Sequence, residues 1–130
     1  MKLLLDTHVF LWFISGDLRL PDGMLQSVCE PSNEVYLSVV SLWEAIIKYH
    51  LERLPLPQPP EVYLPIQRER HLISSLLLIE ASVAHLGKLP SLHGDHFDRM
   101  LVCQAIEHDL VIVTVDDTIR AYPVKVLDAT

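Results

Sequence analysis

Residues 110–116 read Leu110-Val111-Ile112-Val113-Thr114-Val115-Asp116, and this run decides the fold. Strands of a parallel sheet that is covered on both faces are continuous apolar segments rich in β-branched residues, without alternation. The segment Leu110–Val115 has that composition, and an acid follows it directly. The sequence therefore predicts a buried parallel strand that ends just before Asp116.

Four further segments have strand composition, and helical segments lie between the strands. The predicted strands are Lys2–Leu5, Glu34–Leu37, Leu76–Ile79 and a final one at Val124–Leu127. The predicted helices are His8–Ile14 with Thr7 as a candidate cap, Met24–Cys29 after a turn at Pro21-Asp22-Gly23, Ser41–Leu51, Glu61–His71, Ala81–Leu86 and Phe97–His108. Strands that alternate with helices predict an α/β three-layer sandwich with a central, mainly parallel sheet flanked by helices.

Length, composition and charge limit the number of domains and the kinds of partner. The chain has 130 residues, half of them hydrophobic and 21% charged, which predicts one compact domain over residues 1–130. The formal net charge is -7 and the ten basic residues are scattered, which argues against a nucleic-acid clamp built from Lys and Arg. The charge leaves two kinds of partner: a polyanion bridged by metal ions, or a cationic protein.

The cysteines and the N-terminus indicate the compartment. Cys29 and Cys103 lie far apart and form no CxxC pair, and Cys103 falls in an apolar run, so we expect free thiols, although a disulfide stays open. The apolar start Leu3-Leu4-Leu5 is interrupted at once by Asp6 and is too short for a secretion signal or a membrane span. We therefore expect a cytoplasmic protein.

Four acids fall at predicted strand ends and helix starts. Asp6 and Asp116 each follow a predicted strand, Asp98 opens the strongest predicted helix, and Glu44 lies in the first turn of the helix predicted from Ser41. Functional sites of open parallel sheets gather at the carboxyl ends of the strands. We therefore expect these side chains to meet at one edge of the sheet.

Carboxylates that converge repel one another, and a hard divalent cation relieves the repulsion. Mg²⁺ and Mn²⁺ prefer oxygen ligands and retain several waters. Such an ion polarises a phosphoryl oxygen and activates an attacking water, which is the chemistry of metal-assisted phosphodiester hydrolysis. The pattern predicts a hydrolase of this type.

Each acid also has a purely structural interpretation. Asp6 could cap a helix, and Glu44 fits a capping box with Ser41. Asp98 would be stabilised by the helix dipole without any metal, and Asp116 could belong to an ordinary turn. The functional hypothesis depends on all four meeting at the same edge.

Other candidate residues are weaker. His93, Asp95 and His96 are ligand types that zinc accepts, but no matching pair lies elsewhere at a zinc-like spacing. Asp95 could be an outer acid of the site or a loop residue, and Arg99 could contact phosphate or point away. Trp12 and Trp43 flank the acidic residues in sequence and could stack bases, although packing is their more common role.

Five segments carry a resemblance to a known family. They read Leu3-Leu4-Leu5-Asp6-Thr7-His8, Ser41-Leu42-Trp43-Glu44-Ala45, Leu89-Pro90-Ser91-Leu92-His93-Gly94-Asp95-His96-Phe97-Asp98-Arg99-Met100-Leu101, Val113-Thr114-Val115-Asp116 and Ile119-Arg120-Ala121-Tyr122-Pro123-Val124. In order and spacing the chain resembles the PIN-domain ribonucleases, specifically the VapC-type toxins of bacterial type II toxin–antitoxin systems. One departure is His96, where this branch often has proline, which leaves the acids intact but affects the local loop.

The resemblance implies a function and a site. The family's acidic tetrad falls on Asp6, Glu44, Asp98 and Asp116, with Asp6 and Asp98 as the principal metal ligands and the other two completing the site directly or through water. It implies a PIN-like fold, a Mg²⁺ or Mn²⁺ cofactor, and an endoribonuclease acting on tRNA or another structured RNA. It also implies a homodimer and a VapB-like antitoxin whose tail covers the acidic groove.

Two other functions stay open. A catalytically inactive PIN-like module could bind RNA or protein, but such a module would be expected to lack one or more of the acids, and none of the four is missing. A nuclease acting on DNA would have a related acidic site, but the sequence offers no helical clamp or basic arm for duplex DNA.

Overall fold

The computed structural model describes residues 1–92 and 94–128 of the chain. Its strands are β1 (Lys2–Leu5), β2 (Glu34–Ser38), β3 (Ser74–Leu76) and β4 (Val111–Val113). Its α-helices are α1 (Thr7–Ser15), α2 (Asp22–Cys29), α3 (Val39–His50), α4 (Pro60–Arg70), α5 (Glu80–Ala84), α6 (His96–His108) and α7 (Asp117–Arg120). A short 3-10 helix, His85–Lys88, continues α5.

The four strands form one parallel sheet in the order β3-β2-β1-β4. β1 pairs with a neighbour on each side, so that Leu3 lies opposite both Val35 and Val111. Because β1 and β4 are adjacent and parallel, their carboxyl ends reach the same edge of the sheet. The predicted fold class, a mainly parallel sheet flanked by helices, is confirmed.

Successive residues of β1 belong to two different cores. Leu3 and Leu5 pack in a cluster with residues of α1, α2 and α4, including Phe10, Met24 and Leu64. Leu4 packs in a second cluster with residues of α6 and α7, including Leu101 and Ile119. Side chains alternate between the two faces of a strand, so helices cover both faces of the sheet. This explains why Leu3–Leu5 of β1 and all of β4 are continuously apolar.

α6 is the central helix, as its composition predicts. Residues Leu101–Ala105 are buried along it, and the polar side chain among them, Gln104, has both ends bonded. Its Oε1 accepts from the hydroxyl of Ser38 and its Nε2 donates to the carbonyl of Leu77 at 3.2 Å. Buried polar groups require such partners, and here they connect α6 to the ends of β2 and β3.

Three strand predictions need correction. The segment predicted at Leu76–Ile79 is a strand only over Ser74–Leu76, and the one at Val124–Leu127 contributes a single bridge between Ile112 and Val126. The strand predicted to Val115 ends at Val113. β1 stops at Leu5, and the amide of Asp6 makes the last bond, to the carbonyl of Val113 at 3.0 Å, so later residues have no strand beside them.

Helix starts also differ from prediction. Thr7 is the first residue of α1 and does not cap it, and α2 begins at Asp22 inside the predicted turn. α3 begins at Val39 rather than Ser41, because the hydroxyl of Ser38 accepts from the amide of Val40 and caps the helix. The capping box of Ser41 and Glu44 is therefore wrong, and Glu44 lies in the second turn of α3.

The cysteines and the helices bear on two further expectations. Cys29 is exposed, Cys103 is buried, and both are free thiols, as expected. Among the residues that the structure describes, no helix is long and apolar enough to cross a membrane.

Shortening the side chain of Leu4 in β1 tests whether helices pack on both faces of the sheet. Leu4 is 0% exposed in the middle of the sheet, whereas Leu18 is 99% exposed. Leu4→Ala removes buried methyl groups and leaves a cavity, so it should lower the free energy of unfolding by about 2–5 kcal/mol. Leu18→Ala should change it by less than about 0.5 kcal/mol. Equal urea midpoints for the two variants would contradict the packing described above.

Candidate metal centre

Three of the four predicted acids are buried at the carboxyl edge of the sheet. Asp6 follows β1 and is 3% exposed, Glu44 in α3 is 2% exposed, and Asp98 in the first turn of α6 is 8% exposed. Asp116 lies past the end of β4 and is half-buried. Ionised carboxylates are costly to remove from water unless they are compensated. Their burial here calls for a local explanation.

The charges of these acids act on one another. Burial, as the largest cause, and the negative charges of Asp6, Asp95, Glu44 and Asp116 together raise the pKa of Asp98 to about 8. Four acids from different elements therefore lie within electrostatic range of one carboxyl group. The structure brings the predicted residues to one edge, where the neighbouring charges disfavour the ionisation of Asp98.

Asp6 responds to the same environment. Burial raises its pKa as the largest effect, and the charge of Glu44 adds to the rise. The hydrogen bond from Thr114, the nearby charge of His8 and the amide of Thr7 oppose it. Asp6 and Asp98 are thus both poised to gain from a positive charge placed between them.

Thr114 is a site residue that the sequence analysis missed. Its buried hydroxyl donates to Oδ2 of Asp6 at 2.7 Å and accepts from the amide of Asp116 at 3.0 Å. One side chain therefore fixes the positions of two of the acids. A signal existed in the sequence: Thr114 is a hydroxyl inside an apolar, buried run, and a buried hydroxyl needs a partner.

Glu44 is bonded on one oxygen only. Its Oε2 accepts from the ammonium group of Lys48, one helical turn later. Its Oε1 is buried and has no hydrogen-bond partner among residues 1–92 and 94–128. A buried acceptor without a partner is costly, and a cation or a cation-bound water would satisfy it. The i,i+4 spacing of Glu44 and Lys48 was the sequence signal for this pair.

A buried hydroxyl pair connects the helices that carry the acids. The Oγ1 of Thr7, at the start of α1, donates to Oγ of Ser41 in α3 at 2.8 Å. Thr7 follows Asp6 directly, and Ser41 precedes Glu44 by about one helical turn. This bond fixes the distance between the start of α1 and the acidic face of α3, a role for both residues that the sequence analysis did not anticipate.

Asp116 and Asp95 each cap a helix, a role that the sequence analysis did not assign to them. Asp116 caps α7, because its Oδ1 accepts from the amide and the hydroxyl of Thr118 at 2.9 and 2.7 Å. Asp95 caps α6, because its Oδ1 accepts from the amide of Asp98 at 3.0 Å. Capping does not exclude a second role, since Asp95 and Asp116 also raise the pKa of Asp98.

In residues 1–92 and 94–128, no three His, Cys, Asp or Glu side chains are grouped so that they could together hold a metal ion. Any ion at this edge would therefore keep part of its shell as water. Zinc in structural sites requires four protein ligands, whereas Mg²⁺ commonly uses one or two carboxylates and keeps its waters. The donor set is all oxygen and partly buried, and it fits a hydrated divalent ion of the second kind.

The remaining candidates are placed as follows. The zinc hypothesis involves His93, which lies outside the described residues. Arg99 contacts the carbonyl of Pro90 at 3.4 Å on the surface. Trp43 is 53% exposed and packs edge-on against Phe97, with ring centroids 4.9 Å apart. Trp12 lines a groove of about 500 Å³ together with Asp6 and Asp116.

The raised pKa of Asp98 predicts how stability changes with pH in metal-free buffer. Between pH 4, near the pKa of an unfolded aspartate, and about 8, the folded protein binds more protons than the unfolded chain. The free energy of unfolding should therefore fall as pH rises through this window. Asp98→Asn removes the group and should be more stable than the parent at pH 7.5 by about 1–3 kcal/mol. Parallel stability curves for the two proteins would contradict this.

Comparison with known proteins identifies the family. The model of the family described as PIN domain matches residues 3–125. Ribonuclease VapC22 of Mycobacterium tuberculosis (strain H37Rv) is 28% identical over 119 residues, which cover 92% of this chain and 90% of that protein.

Solved structures show the same fold at low sequence identity. VapBC2 from Rickettsia felis, bound to a DNA fragment from its promoter, aligns with a TM-score of 0.71 and 18% identity over 98% of both chains. VapBC-1 from nontypeable Haemophilus influenzae aligns with a TM-score of 0.68 and 18% identity over 99% of this chain and 98% of that one. Because the family match extends over nearly the whole sequence, this chain belongs to the PIN domain family.

Proposed function

We propose that this chain is a divalent-metal-dependent endoribonuclease, the toxin component of a type II toxin–antitoxin system. The Mycobacterium tuberculosis relative is named a ribonuclease, and the structural neighbours are VapBC assemblies. Family membership and the acidic edge of the sheet support the same chemistry. The reaction is hydrolysis of RNA phosphodiester bonds.

One observation carries the proposal: the buried oxygen of Glu44 lacks a partner in the described part of the chain, beside carboxyl groups that resist ionisation. A module that only binds RNA or protein would gain nothing from this arrangement, which lowers the stability of the fold. A cation satisfies the acceptor and offsets the repulsion at once. All four acids are present in this chain.

The burial and electrostatics of the acids support the following choice of ligands. Asp6 and Asp98, buried and electrostatically strained, are the principal ligands of Mg²⁺ or Mn²⁺. Glu44 and Asp116 complete the site directly or through water. When bound, the ion supplies charge to the phosphoryl oxygen and lowers the pKa of a water molecule.

The chain's own residues prepare the site. Thr114 holds Asp6 and the backbone of Asp116 in fixed positions. Lys48 donates to one oxygen of Glu44 and leaves the other, buried oxygen without a partner in the described part of the chain. Asp98 carries a proton near neutral pH in the metal-free protein, and that proton has to leave when a cation binds.

The substrate is an unpaired part of a structured RNA, with tRNA loops as the first candidates. An unstacked strand can be splayed into a groove, whereas a duplex cannot easily be. The partner is an antitoxin with a basic tail, which complements the net charge of -7. A homodimer stays a prediction from the family resemblance.

Asp98→Asn tests the catalytic role. The variant keeps the size of the side chain but loses its charge, so it should fold and lose at least about a hundredfold in RNA cleavage. Asp109→Asn is the matched control, because Asp109 pairs with Lys125 on the surface and has a left-handed backbone that asparagine tolerates. The readout is digestion of labelled RNA with Mn²⁺.

Equal cleavage by the parent, Asp98→Asn and Asp109→Asn, in preparations freed of other nucleases, would defeat the proposal. Parallel digestion of single-stranded DNA separates the two kinds of nuclease, and RNA should be cut faster. A parent protein that cleaves neither polymer but binds RNA would favour the inactive binding module instead.

Calorimetric titration with Mn²⁺ tests the cation. Because the ion displaces a proton from Asp98, whose pKa is about 8, apparent affinity should rise by about tenfold per pH unit between pH 6 and 8 and then level off. Asp98→Asn should bind more weakly and without this slope. Affinity that does not change with pH in the parent would exclude Asp98 as a ligand that must lose a proton.

A further inference from the structure

The groove beside the acids is larger than a metal centre needs. Its volume of about 500 Å³ falls within the range of about 300–1,000 Å³ that is usual for small-molecule sites. Asp6 and Asp116 line it, and so do mainly apolar side chains of α1 and of residues 54–57, with Tyr63 of α4. The groove is therefore continuous with the proposed catalytic site but has a different chemical character.

Two planar groups lie against each other in this groove. The guanidinium carbon of Arg19 is 5.1 Å from the centroid of the Trp12 ring, and both side chains line the cavity. This is the geometry of a cation–π contact. Trp12 and Arg19 therefore place an aromatic ring and a planar guanidinium group side by side in the wall of the groove.

The chain fixes this pair by specific contacts. Gly16 ends α1 with a φ of 65°, a conformation that glycine adopts without strain, and the amide of Asp17 returns to the carbonyl of Trp12 at 3.0 Å. The carboxylate of Asp17 then accepts from Nε and Nη2 of Arg19 at 3.1 and 2.7 Å. Arg19 is thereby held in place and its charge is balanced.

Trp12 lies in α1, the helix that begins directly after Asp6. Trp12 comes six residues after Asp6, which corresponds to about 9 Å along the axis of α1. Between them is His8, whose ring centroid is 6.4 Å from that of Trp12 and whose charge lowers the pKa of Asp6. A ligand anchored at Asp6 can therefore reach Trp12 along one wall of the groove.

We infer that Trp12 and Arg19 form a stacking subsite for an unpaired nucleobase of the RNA strand whose phosphodiester lies at the acids. The inference rests on the proposed ribonuclease function. Unpaired bases stack on aromatic rings and on arginine planes. Because Asp17 balances the charge of Arg19, the platform suits a flat, neutral base better than a phosphate.

The subsite selects for unpaired RNA rather than for a particular base. Every base has a stacking face, so this contact tolerates changes of sequence. A base inside a duplex already stacks on its neighbours and must be extracted before it can enter. The subsite therefore raises the affinity for loops and single strands, and it acts on KM more than on kcat because it does not touch the reacting atoms.

The two tryptophans allow a direct binding test, since Trp12 and Trp43 are the only ones in the sequence. With excitation selective for tryptophan, Trp43→Phe leaves Trp12 as the only emitting indole, and Trp12→Phe leaves Trp43, which does not line the groove. Octauridylate should quench the emission of Trp12 and leave that of Trp43 unchanged, and an RNA duplex should quench Trp12 less. Absence of Trp12 quenching would overturn the subsite.

Steady-state cleavage of unfractionated tRNA gives the second readout. Arg19→Ala should raise KM by about 5- to 100-fold with little change in kcat. Arg19→Lys keeps the charge but loses the plane, so it should behave like Arg19→Ala. Arg19 is exposed, so neither variant should unfold the protein. Arg70→Lys, an exposed arginine of α4 outside the groove, is the matched control.

The outcomes separate the two proposals. A parent protein that does not cleave RNA defeats the ribonuclease function, and the fluorescence titration still decides whether RNA reaches Trp12. If the parent protein cleaves RNA and both Arg19 variants have an unchanged KM, the stacking subsite is wrong but the ribonuclease function stands. The groove would then be a candidate binding site for the antitoxin. A raised KM in Arg19→Ala but not in Arg19→Lys would show that charge, not stacking, is the relevant property.

Discussion

Three buried carboxylates lie near one another at the edge of the sheet, and the fold has to hold them in place against their mutual repulsion. Asp6, Glu44 and Asp98 are each less than a tenth exposed, and the pKa of Asp98 reaches about 8 because burial and the neighbouring acids disfavour its charge. An arrangement of this kind lowers the stability of the metal-free fold. It persists only because rigid surroundings hold it, and the proposed divalent cation would convert the repulsion into binding energy.

The parallel sheet supplies that rigidity. β1 is paired on both sides and buried on both faces, so the backbone that leads into Asp6 cannot yield to repulsion. Thr114 then ties the Asp6 carboxylate to the backbone of Asp116, and Thr7 ties α1 to α3 through Ser41. These hydroxyl hydrogen bonds come from residues near the ends of strands and helices. They fix the positions of the acidic residues relative to the core.

Much of this could be predicted from the sequence, for identifiable reasons. Leu3–Leu5 and Leu110–Val113 are continuously apolar because two cores cover them, and that pattern predicted the sheet and the edge where the acids lie. Predictions from local sequence patterns failed where contacts distant in the sequence determine the structure. Ser38 caps α3 in place of Ser41 because it ends β2. The strand predicted at Val124–Leu127 is reduced to one bridge. The partners of Thr7 and Thr114, 34 and 108 residues away, have no local sequence signal.

The most direct measurement is the position of a bound ion. Crystals of the protein soaked in Mn²⁺ and measured by anomalous diffraction should show a peak about 2.1 Å from carboxylate oxygens of both Asp6 and Asp98, with Oε1 of Glu44 close enough to contact the ion or one of its waters. A peak elsewhere on the surface, or none at saturating Mn²⁺, would contradict the account that these acids converge in order to hold a cation.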